Sequence, residues 1–178
     1  MSIGDAEIKT QERVIRFFKD PEILGYQYIG NLSDYQNKNI KEDRLRQYLR
    51  LKGYADKLID AAVMQLQQEA GNLSRGVYDA NKTVYSRLKY GIPVSESPEK
   101  PPVTVELIDE ANPLNNDFAI AEEVTVVEQQ EKRPDLVIYL NGIAVAVIEL
   151  KRSSISVSEG IRQNLTNQKD SFIRGFFT

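Results

Sequence analysis

Residues 133–151 read Arg-Pro-Asp-Leu-Val-Ile-Tyr-Leu-Asn-Gly-Ile-Ala-Val-Ala-Val-Ile-Glu-Leu-Lys. Two apolar runs flank Asn141-Gly142, a dipeptide that favours a hairpin turn, so the stretch reads as strand, turn, strand. An acid, Asp135, opens the first run, and Glu149 and Lys151 close the second. Side chains alternate faces along a strand, so Glu149 and Lys151 point the same way. Whether Asp135 joins them depends on the loop. A two-residue loop sets Leu140 opposite Ile143 and Asp135 opposite Ile148, which leaves Glu149 on the other side of the sheet. A three-residue loop, Leu140-Asn141-Gly142 with the glycine in the left-handed region, sets Tyr139 opposite Ile143 and Asp135 opposite Val147. Asp135, Val137, Val145, Val147, Glu149 and Lys151 then share one face, and this bulged turn is the expectation.

The other face carries Leu136, Ile138, Leu140, Ala144, Ala146, Ile148 and Leu150. Strands that are apolar on both sides are expected to be buried on both faces. Two carboxylates and an ammonium among such residues must pair or bind metal to offset their desolvation. The residues alone leave two readings open: a structural ion pair of Lys151 with one acid, or a small site suited to magnesium and a phosphodiester.

Composition narrows the chemistry. The 178 residues contain no histidine and no cysteine, which removes imidazole bases, serine triads, zinc sites and disulfides. Carboxylates, lysines, tyrosines and water remain, and oxygen ligands favour magnesium or manganese. No apolar run reaches the roughly 18 to 20 residues needed to span a bilayer, and residues 1–5 lack a basic-then-apolar leader, so the expected location is cytoplasmic. The net charge is −3, unevenly spread. Thr104 to Glu131 holds eight acids and no bases, whereas Lys132 to Arg174 holds seven bases against four acids. The basic surplus follows the motif and offers contacts to phosphates.

Helical spacing predicts helices over Glu7 to Lys19, Lys41 to Lys52, Asp56 to Ala70 and Leu73 to Tyr90. Gly30 to Asn39 reads as loop, and the proline-rich 95–102 as a stiff connector. Strands are expected over Val103 to Ile108, Asp117 to Val127, Pro134 to Leu140 and Ile143 to Lys151. Ser156 or Ser158 then caps a helix running to about Arg174. The aromatic pairs Phe17/Phe18, Tyr26/Tyr28 and Phe176/Phe177 are expected in the core. The fold class is α/β (α+β), a mixed sheet flanked by helices in one domain over 1–178, with 1–92 mainly helical and the sheet in 103–178.

Arg133-Pro134-Asp135 followed by Glu149-Leu150-Lys151 resembles the PD-(D/E)xK nuclease signature. The stretch 133–151 is similar to the nuclease domain of type I restriction enzyme R subunits. The likeness extends to Asn81-Lys82 through Leu88 and Gly91, to Val105–Asp109, and to Asn115-Asn116-Asp117-Phe118. Gln163 stands where that family's QxxxY motif begins, but Asn167 replaces the tyrosine, so the motif is half present.

The resemblance implies a restriction-endonuclease-like core that cleaves double-stranded DNA with Mg2+, or Mn2+ in its place. Asp135, Glu149 and the backbone carbonyl of Leu150 would hold the ion, and Lys151 would orient water or stabilise developing charge. Glu12 is the candidate for a third acid supplied by a helix. Gln163, Arg152, Arg162 and Lys169 are candidates for DNA contact. The resemblance further implies an ATP-driven motor and methyltransferase and specificity subunits as partners. No GxxxxGK[ST] loop occurs in the 178 residues, and the chain reads as an N-terminal fragment of a longer protein. Two alternatives stand beside this: a stand-alone RecB-like or resolvase-like nuclease, and a catalytically weak docking module using the three surplus positive charges between Lys41 and Lys57.

Overall fold

The computed structural model describes residues 3–34, 38–72, 74, 76–127 and 131–150, together with 158, 159, 161, 162 and 165. It is a mixed α/β fold whose described residues fall into two compact units. None of the described helices is long and apolar enough to cross a membrane.

The first unit comprises the chain up to Asn39, Phe118–Tyr139, and the chain from Ala144 onward. Helix α1 (Ile3–Lys19) stops before Asp20-Pro21, as expected where proline disfavours helix at the preceding residue. The Asp20 carbonyl then accepts the N–H groups of Ile23, Leu24 and Gly25. Strand β1 (Gln27–Asn31) follows, in a segment the sequence assigned to aromatic core and loop. Its QYIGN has no apolar alternation; its pairing, not its composition, makes it a strand. It runs parallel to β4 (Phe118–Glu122), with Gln27 opposite Ala119 and Tyr28 opposite Ile120. Strands β7 (Leu136–Leu140) and β8 (Ile143–Ile148) complete a four-stranded sheet of order β1-β4-β7-β8. Asn141 N–H bonds the Asp117 carbonyl beyond one end of the β4/β7 pair, and Glu123 N–H bonds the Asp135 carbonyl beyond the other, which makes it antiparallel.

One face of the sheet packs Ile120 and Leu136 against Val14, Ile15 and Phe18 of α1. The other gathers Ala119, Ala121, Val124, Val126, Val137 and Tyr139. The expected single strand from Asp117 to Val127 is instead broken at Glu123, whose φ of 51° lies in the left-handed region. Val126–Val127 (β5) then pairs with Glu131–Lys132 (β6) in a separate ribbon. The expectation of burial on both faces holds for β7 but not for the edge strand β8, where Val145 is 44% exposed. Tyr28 and Phe17, expected in the core, are exposed; Phe176 and Phe177 lie outside the described residues.

The second unit is Ile40–Asp117 with the hairpin tip Leu140–Ile143. Helices α2 (Glu42–Leu51), α3 (Asp56–Gly71) and α4 (Val77–Tyr90) bury Leu45, Leu49, Ile59, Val63 and Leu66 with Ile92, Val105 and Leu107 in one cluster. Each such side chain contributes about 1.5–3 kcal/mol on burial. Strands β2 (Ile92–Val94) and β3 (Val103–Val105) pair antiparallel, so the proline-rich connector is the loop of a hairpin. Gly91 ends α4 at φ 74°, where a Cβ would lie 2.8 Å from the Val105 carbonyl oxygen; only glycine permits that approach.

Candidate functional site

The expected three-residue loop is overturned. Asn141 (φ 52°) and Gly142 (φ 82°) both occupy the left-handed region, which defines a two-residue type I′ turn. Asparagine tolerates that conformation here because its side chain is fully committed. Its Oδ1 accepts the Asp117 N–H at 2.7 Å, and its Nδ2 donates to the Leu107 carbonyl and to Asn116 Oδ1, each at 2.8 Å. The Gly142 carbonyl accepts the Lys41 N–H at 2.7 Å. The tight turn is therefore set by tertiary hydrogen bonds that no local pattern announces.

A two-residue turn alone would separate Asp135 from Glu149. Ala144 and Val147, three residues apart, both pack against the cluster that contains Val137 and Tyr139, while Ile148 and Leu150 pack against the cluster that contains Leu136. On strict alternation Ala144 and Val147 would lie on opposite faces, yet both meet the same apolar cluster. By alternation Glu149 lies on the same face of the chain as Val147. Val145, expected on that face, is exposed. The Leu150 N–H donates to Asp135 Oδ2 at 2.5 Å, joining the start of β7 to the end of β8.

Asp135 and Glu149 are both half-buried. Next to them lies a polar cluster the sequence reading missed. Glu123 is half-buried, and its carboxyl is held above the usual carboxylate range by burial and by the negative charges of Asp135 and Glu122, opposed by a bond from Gln11 and by Arg133. Gln11 Nε2 on α1 reaches Glu122 Oε2 at 2.9 Å and Glu123 Oε1 at 3.4 Å. Tyr28 donates to Glu122 Oε1 at 2.6 Å; burial and this bond push its pKa up to about 12. The adjacent Glu122-Glu123 at the end of an apolar run was the one sequence signal for this cluster.

Glu12 stands exposed on α1 beside Gln11. Among the described residues no three His, Cys, Asp or Glu side chains form a metal-holding group. Arg162 is helical and exposed, and Lys151, Arg152, Gln163 and Lys169 lie outside the described residues. Arg133 is held at its own end of β7 by Thr125 and Glu131.

A mixed four-stranded sheet, backed on one face by a helix and carrying acids at adjoining strand ends, is a PD-(D/E)xK-like α+β fold. Residues 7–178 match the family described as "Type I restriction enzyme R protein N terminus", and the chain belongs to it. A protein of Methanocaldococcus jannaschii, named as a candidate MjaIXP endonuclease subunit of a type I restriction enzyme, is 33% identical over 97 residues. That match covers 50% of this chain and 9% of the relative's length.

Proposed function

We propose that this chain is the DNA-cleaving domain of a type I restriction enzyme R subunit. It hydrolyses phosphodiester bonds of double-stranded DNA with Mg2+, after ATP-driven translocation by motor domains elsewhere in the full-length protein and in company with methyltransferase and specificity subunits. One observation carries the reading: the Leu150 N–H donates to Asp135 Oδ2 and so ties together the two strand ends that carry Asp135 and Glu149.

The donor set suits magnesium. Asp135 and Glu149 offer carboxylate oxygens, neither is sealed from solvent, and magnesium commonly takes one or two carboxylates while keeping several waters. Asp135, Glu149 and the Leu150 carbonyl would hold it. When bound, the ion supplies polarisation of the scissile phosphate and a water of lowered pKa. The Leu150 N–H fixes the rotamer of the Asp135 carboxylate, so its ligating geometry is set beforehand. The role we give Lys151 is to orient the attacking water and stabilise charge on the phosphorane-like transition state. The docking-module alternative loses support, because Arg44, Arg46, Arg50 and Lys52 are each ion-paired to an acid and their charge is spent internally.

The test uses the full-length R subunit with its partner subunits. Asp135→Ala and Glu149→Ala abolish DNA cleavage while ATP hydrolysis continues, and calorimetry on this chain shows Mg2+ or Mn2+ binding that Glu149→Ala removes. An Asp135→Ala enzyme that still cuts DNA refutes the assignment.

A further inference from the structure

Helix α4 presents an unusual surface. Its inner side, Ala80, Val84 and Leu88, packs on the second unit's core, and Arg87 is paired to Glu69. At 3.6 residues per turn, Tyr78, Lys82, Tyr85 and Lys89 fall within about 60° of arc on the opposite side. Tyr78 is 75% exposed and Tyr85 63%. Lys82 and Lys89 are exposed, and neither is ion-paired to a described residue. Tyr90, 67% exposed, sits beneath Lys89, whose Nζ is 5.2 Å from the ring centroid. The acid of the helix, Asp79, lies about 60° of arc beyond the Lys82 edge of this stripe.

We propose that this Tyr-Lys-Tyr-Lys stripe is a sequence-independent contact surface for a single nucleic-acid strand, with the tyrosine rings stacking on unpaired bases and the lysines meeting phosphates. Tyr78 and Tyr85 lie about 10 Å apart along the helix, at 1.5 Å rise per residue, which leaves room for successive bases of an extended strand. The composition distinguishes this partner from a protein. Interface cores are enriched in tyrosine but depleted of lysine, whereas alternating aromatic and basic groups match the π-faces and phosphates of a single strand. The arginines of α2 are consumed by acids, and the lysines of α4 are not. The surface ends near Tyr90, because Glu106, Asp109 and Glu110 line the adjoining pocket and Glu110 acts on Lys89.

This inference goes beyond the proposed cleavage and does not need it. The probe is a fluorescein-labelled oligothymidylate, titrated with the 178-residue chain in EDTA and followed by fluorescence anisotropy. Tyr78→Ala and Tyr85→Ala each weaken binding about tenfold, while the Phe variants retain it. Lys82→Ala with Lys89→Ala lowers the slope of log affinity against log salt by about 0.7 per lysine. All four positions are exposed, and circular dichroism checks that the fold is kept. The catalytic assignment is read from cleavage by Asp135→Ala and this one from anisotropy of the tyrosine variants in EDTA, so their failures separate. Wild-type affinity in the tyrosine variants, or loss confined to duplex DNA, overturns the proposal.

Discussion

Removing the Asn141 side chain tests how the hairpin is held. Asn141 is fully buried and at φ 52°, and it serves three partners: the Leu107 carbonyl, Asn116 Oδ1 and the Asp117 N–H. A buried polar group left unpaired costs about 1–3 kcal/mol. Leu107 is wholly buried and its carbonyl cannot rehydrate, whereas Asn116 and Asp117 are half-exposed and fall at the low end. The three losses together come to about 4 kcal/mol. Alanine adds about 1 kcal/mol for the left-handed backbone, which glycine avoids. Asn141→Gly is therefore expected to lose about 4 kcal/mol and Asn141→Ala about 5, a large share of the ~5–15 kcal/mol of a typical domain. Urea unfolding followed by circular dichroism, with midpoints compared at constant slope, measures both. An Asn141→Ala protein within about 1 kcal/mol of wild type refutes the hydrogen-bond reasoning, and equal midpoints for the two variants refute the backbone part.

Gly142→Ala places a Cβ 2.6 Å from the Lys41 carbonyl oxygen and 2.8 Å from the Leu45 nitrogen at φ 82°. Thermal unfolding is expected to show a loss of more than about 2 kcal/mol. Asp109, bonded by Lys52, Asn115 and the Asn112 N–H, has its pKa lowered from 3.8 to about 2. A depressed carboxylate contributes stability that is present above the unfolded value near 3.8 and lost as pH falls through about 2. Asp109→Asn should thus be less stable than wild type at neutral pH, with the gap closing between about pH 4 and 2 in a pH series of melting temperatures. Lastly, residues 1–178 alone are expected to cleave little or no DNA at physiological salt, with at most slow nicking at low salt in manganese, because on the proposed function positioning of the substrate falls to motor domains of the full-length protein. Efficient, sequence-specific double-strand cutting by the bare chain in a plasmid assay would favour an autonomous nuclease.

The hairpin strands β7 and β8 were legible because an unbroken apolar run beside an Asn-Gly turn has few other solutions. The helices were legible from their 3.6-residue stripes, and their ends from Asp20-Pro21 and Gly91. Strand β1 was not, since Gln27–Asn31 has neither alternation nor apolar weight and becomes a strand by parallel pairing with β4. The acids of the motif could be named, but the bond from the Leu150 N–H to Asp135 that joins their strand ends could not. Glu122, Glu123, Gln11 and Tyr28 come from three distant segments, and only their convergence makes them a cluster.

By itself the sequence determined the chemical vocabulary, with carboxylates and lysines but no imidazole or thiol, and it determined the acid-hairpin-acid-lysine order and the helix and strand types. These follow from residue identity and local periodicity, which act within one element. The loop length at Asn141-Gly142 and the placing of Gln11 against Glu122 and Glu123 were decided only by the tertiary structure. Turn and register here are fixed by hydrogen bonds from Asn141 to Leu107, Asn116 and Asp117 and from Lys41 to Gly142, between residues up to about a hundred positions apart. Local periodicity acts within one element and cannot announce bonds between segments so far apart, which is why the turn was decided only by the folded chain.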